Sequence, residues 1–76
     1  EYINKGDSFI SENQLDKALY CYIEAFKILD IDTIDDLNID KTELCYKIGN
    51  TASIICEYEI ALIFYYKGLK FIKTYS

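Results

Sequence analysis

Three thiols and a run of carboxylates are the side chains here that invite a catalytic reading. Cys21, Cys45 and Cys56 could act as nucleophiles, but a thiol needs a nearby cation or base to ionise, and the chain holds no histidine. The cysteines are odd in number and lack paired short spacings, which excludes zinc-finger and haem-attachment patterns and speaks against a disulfide framework. Each is expected to pack as a small apolar residue, in a reducing, cytoplasmic setting. Asp35 and Asp36 are adjacent acids, but they fall in a polar stretch where nothing positions or desolvates them. With three glycines in all, the chain has no glycine-rich loop to cradle phosphate. Neither an enzyme nor a metal or cofactor site is expected.

The elements that carry these residues belong to one small domain, residues 1–76. Seventy-six residues are near the lower limit for a self-sufficient core, yet 51% of them are hydrophobic, with eight Tyr and four Phe. Proline is absent, so no segment reads as a tether. Glu1 in place of an initiating methionine suggests a piece of a longer protein. Between Asp30 and Glu43 lie six acids and one lysine, whereas seven acids and seven lysines balance elsewhere. The net charge of −5 therefore sits in one connector, read as a solvated linker over about residues 31–40. Without arginine or a clustered positive patch, no nucleic-acid surface is expected. The longest apolar run, Ile60 to Tyr66, is too short to span a bilayer, so no membrane partner is expected either.

Apolar residues recur at steps of three and four through four segments, which predicts four helices. The first runs from about Tyr2 to Ser11 and ends at a polar break where Asn13 suits a left-handed conformation. The second spans Leu15 to about Leu29, with room for a further turn. Asp40 and Glu43 have the spacing of a capping box and are expected to open the third helix, which reaches about Ile55. The fourth spans about Tyr58 to Lys73. It is apolar around nearly its whole circumference from Ile60 to Tyr66, so burial on more than one side is expected.

A repeat underlies these segments. Gly6, Ala18, Tyr22 and Ala25 return forty-three residues later as Gly49, Ala61, Tyr65 and Gly68, and Leu19, Lys27 and Leu29 return as Leu62, Lys70 and Ile72. Small residues let two helices approach closely, so a repeated set of them marks a repeated packing unit. Gly6 is expected to offer a notch to Ala18 with Tyr22 beside it, and Ala25 to leave room for the next helix. Repeat 1 covers about 1–30 and repeat 2 about 41–74.

The segments NKGDSFISENQLDKALYCYIEAFKIL and YKIGNTASIICEYEIALIFYYKGLKFI resemble two copies of the tetratricopeptide repeat. The connector makes them more like the long-repeat variants of the kinesin light chain kind. Lys5, Asp30 and Lys73 depart from the family's leucine and its closing prolines. The resemblance implies an all-α fold: two antiparallel helix-turn-helix repeats stacked as a short right-handed α-solenoid. It also implies a protein-interaction scaffold whose first helices line a concave groove for a peptide or protein partner. The groove positions carried over are Ile3, Asp7, Ile10 and Ser11 from the first copy and Glu43, Tyr46, Lys47, Asn50 and Ile54 from the second. The subclass that clamps C-terminal carboxylates is disfavoured, because Ile3 and Asp7 stand at its first-copy positions. An apolar or basic segment fits better. Two further roles are consistent with the sequence: self-association as a homodimer through the apolar fourth helix, and service as a regulatory arm of a larger enzyme.

Overall fold

In the computed structural model, residues 2–31 and 38–75 are described, with side chains over 2–29 and 41–71. Among the described residues there are four helices: α1 (Tyr2–Ser11), α2 (Leu15–Ile31), α3 (Asn38–Ile54) and α4 (Tyr58–Tyr75). The expected acidic connector lies mostly outside the described residues, Asp35 and Asp36 included.

Two helix stops of one design divide the chain. Among the described residues Asn13 and Cys56 are the non-glycine residues with positive φ, at 60° and 67°. After α1, the Gln14 N–H donates to the Phe9 carbonyl (2.8 Å) and the Asn13 N–H to that of Ile10 (3.0 Å). After α3, Glu57 donates to Ala52 (2.8 Å) and Cys56 to Ser53 (3.1 Å). This is the paired bonding of a left-handed helix cap, and every member recurs at the forty-three-residue offset.

The second helix takes the further turn allowed for it, to Ile31, whereas the third begins at Asn38, before Asp40. Asp40 therefore lies inside the first turn of α3 and does not cap it.

The domain is all-α, and its helices pack in succession: α1 on α2, α2 on α3, α3 on α4. Contacts pair the late part of α1 with the early part of α2, as Phe9 with Lys17, and Gly6 with Tyr22 further on. The core gathers Leu19, Tyr22 and Phe26 of α2 with Leu44, Cys45 and Ile48 of α3. Phe26 meets Phe64 of α4 edge-on, with ring centroids 5.3 Å apart and planes at 86°. Among the described residues no helix is long and apolar enough to cross a membrane.

Gly6 and Gly49 sit under tyrosine rings. A Cβ on Gly6 would lie 2.5 Å from Cε1 of Tyr22, and one on Gly49 would lie 2.5 Å from Cε1 of Tyr65. The nearest atoms at the notch thus belong to the tyrosine. Gly68, at the position expected to make room for a following helix, faces the helix before it. Its nearest neighbours are Cys45 and Tyr46 of α3, its own partner helix. On the fourth helix, Leu62, Ile63, Tyr66 and Leu69 are exposed, so the chain itself buries α4 along one side. Finally, Cys21 and Cys45 are buried as expected, but Cys56 is exposed at the cap.

Candidate functional site

The nine groove positions divide by what their side chains touch. Asp7 and Asn50, forty-three residues apart, each accept a hydrogen bond from the tyrosine that covers the neighbouring glycine. The Tyr22 hydroxyl donates to Oδ1 of Asp7, and the Tyr65 hydroxyl donates to Oδ1 of Asn50 at 2.6 Å. Lys47 of α3 reaches across to α1, with Nζ 3.4 Å from Oδ1 of Asp7 and 5.7 Å from the centroid of the Tyr22 ring. One carboxylate therefore serves a phenol on α2 and an ammonium on α3. The Tyr22 hydrogen bond, aided by Lys47, holds the Asp7 carboxyl below its ordinary value. Burial, reinforced by that hydrogen bond and the Asp7 charge, pushes the Tyr22 phenol well above its own.

Ile3 is half-buried and, with Leu29, Glu43, Leu44 and Lys47, lines a small recess of about 130 Å³ between α1, α2 and α3. Tyr46 is half-buried with its ring 6.2 Å from that of Tyr65. The Ser11 hydroxyl donates to the Asp7 carbonyl at 3.3 Å. Glu43, Ile10 and Ile54 are exposed. Ile3, Asp7, Glu43 and Lys47 are thus brought together, Tyr46 and Asn50 gather around Tyr65, and Ile10, Ser11 and Ile54 lie towards the C-terminal ends of their helices. Sequence reasoning took these positions to be spared from packing. Asp7, Lys47 and Asn50 instead hold the helices in register, leaving Ile10, Glu43 and Ile54 as the outward-facing apolar and acidic groups.

A larger hollow lies elsewhere. It measures about 720 Å³ along α1 and α2 and is lined by residues including Tyr2, Lys5, Phe9, Lys17, Tyr20 and Cys21. Lys5 Nζ lies 6.0 Å from the centroid of the Tyr2 ring and Lys17 Nζ 5.8 Å from that of Phe9. None of these six is among the nine groove positions. Their signal in the sequence is positional, since Phe9, Lys17 and Tyr20 stand one repeat before Ala52, Ile60 and Ile63.

Among the described residues no group of three or more His, Cys, Asp or Glu gathers where a metal could bind. No protein-family model, curated protein or solved structure matches the chain.

Proposed function

We propose that this chain is a non-enzymatic protein-interaction module. It consists of two tetratricopeptide-like units stacked as a short right-handed α-solenoid, and α1 and α3 present a concave face to a peptide or protein partner. One observation chiefly supports this reading. The glycine, tyrosine and Asp/Asn bracket recurs at the same offset in both halves, and Lys47 ties the second to the first through Asp7. Two like helices with like supports are what a repeat scaffold requires.

The chemistry of the face favours a partner segment with apolar and basic side chains. Ile10 and Ile54 offer exposed aliphatic surface and Glu43 an exposed acid, while the charges of Asp7 and Lys47 face each other. A carboxylate tail is disfavoured, because the cation it needs is already paired. Cytoplasmic residence, and no nucleic-acid or membrane partner, go with this role.

Selection of random peptides on the immobilised chain tests the reading. Recovered peptides should be rich in apolar and basic residues, and their binding should fall at least tenfold in Glu43→Lys and Ile54→Glu. Binding only of acidic-tailed peptides, or binding indifferent to both substitutions, would count against it.

A further inference from the structure

Moving the packing face of α2 forward by one repeat gives the outer face of α4. Leu19, Ile23 and Phe26 map onto Leu62, Tyr66 and Leu69. The first set is seated: Leu19 and Phe26 are 6% and 5% exposed, and Ile23 packs against the core. The second set is bare, at 57%, 66% and 48%.

The seat follows the same shift. Phe26 rests on Phe64 and Phe71 of α4. One repeat earlier these positions are Cys21, which lines the large hollow, and Ile28, which is 58% exposed. Phe9, also on the hollow, corresponds to the fully buried Ala52, whereas Tyr20 corresponds to Ile63, which is exposed. The molecule therefore carries an uncovered ridge on α4 and an unfilled seat on α1 and α2. Apart from exposed Ile63, the counterparts of both are already mated inside the chain.

We propose that a second copy of this chain fills the hollow. The α4 helix of one copy docks through Leu62, Tyr66 and Leu69 against α1 and α2 of the next, continuing the α2–α3 interface by one period. Lys5 and Lys17 stand where the second half has Ile48 and Ile60. Their aliphatic stems still offer apolar surface, and their ammonium groups, already over Tyr2 and Phe9, gain the incoming Tyr66 ring. Ridge and seat are different surfaces, so the contact is heterologous and leaves one of each free at the ends of the assembly. A single helix face in an open groove lies at the small end of interfaces, below about 1,200 Å² in total, so the association is weak and concentration-dependent.

Sedimentation of the 76-residue chain from micromolar to millimolar concentration tests this, with two double variants. Leu62→Asp/Leu69→Asp removes the ridge, and Tyr20→Asp/Ile28→Asp removes the seat. The unsubstituted chain should grow past a dimer. Each variant alone should stay monomeric with its helical circular dichroism intact, and an equal mixture should form a 1:1 pair and nothing larger. Should a variant lose helicity, amide shifts of the unsubstituted chain provide the same reading. Signals of Phe9, Tyr20 and Ile28 and those of Leu62 and Leu69 should move together on concentration. A chain that stays monomeric throughout overturns the proposal. So does a seat variant that still pairs alone with nothing added on mixing, or movement of the α4 signals only, as a symmetric α4–α4 dimer would give.

Discussion

At the scale of single residues, the Tyr22–Asp7 and Tyr65–Asn50 pairs do the same job with different charge. Hydrogen bonds to ionised groups contribute more than neutral ones. Tyr22 is also buried where Tyr65 is half-exposed. Tyr22→Phe is therefore expected to cost about 1–2 kcal/mol in denaturant unfolding and Tyr65→Phe about 1 kcal/mol or less. The Asp7 carboxyl titrates below its ordinary 3.8, so its contribution is complete above that value and lost as pH falls through the lowered one. Tyr22 has the opposite sign: its contribution is complete below 10.0 and lost as pH climbs beyond that toward the raised value. An NMR titration of Asp7 should show its midpoint returning toward 3.8 in Tyr22→Phe, and an unchanged midpoint would detach the phenol from the carboxylate. The glycines give a second contrast. Gly6→Ala and Gly49→Ala push a methyl into a ring and should destabilise by about 1–3 kcal/mol. Gly68→Ala meets Cys45 Cβ at 3.4 Å and carries better helix propensity, so it should be neutral or gain up to about 1 kcal/mol. Equal losses at all three sites would refute the tyrosine-seat account.

At the scale of elements, the two caps are alike in bonding but not in residue. Asn13 adopts the left-handed conformation readily, whereas Cys56 at φ 67° pays for its Cβ. Cys56→Gly should raise stability by about 1 kcal/mol, with Asn13→Gly close to neutral. Measured midpoints in the reverse order would mean that the second cap is held by something other than backbone conformation. The same pair shows how far helix boundaries can be read from sequence. Asn13 announces its stop by residue type. Cysteine carries no such preference, and Cys56 becomes recognisable only through its offset from Asn13. The start of α3 differs for a related reason, since an acid such as Asp40 is favoured by type both at a cap and within a first turn. Apolar periodicity, by contrast, located all four helices and most of the core, because burial of one face leaves its mark on every turn.

At the scale of the whole molecule, the forty-three-residue repeat was legible because close helix contact demands small residues at fixed places. The hollow on α1 and α2 was not, because a seat shows its function only once its filled counterpart is seen. The residues named for a groove lie on α1 and α3, but which of them support the helices and which face outward depends on contacts between elements distant in sequence. What joins the three scales is the claim that the halves are one packing unit used twice, each built on a glycine under a tyrosine ring. A proton NMR spectrum with through-space contacts tests that claim most directly. The account predicts that the α-protons of both Gly6 and Gly49 show strong contacts to the rings of Tyr22 and Tyr65 and ring-current shifts away from ordinary glycine values. Ordinary shifts and no ring contact at either glycine would contradict it.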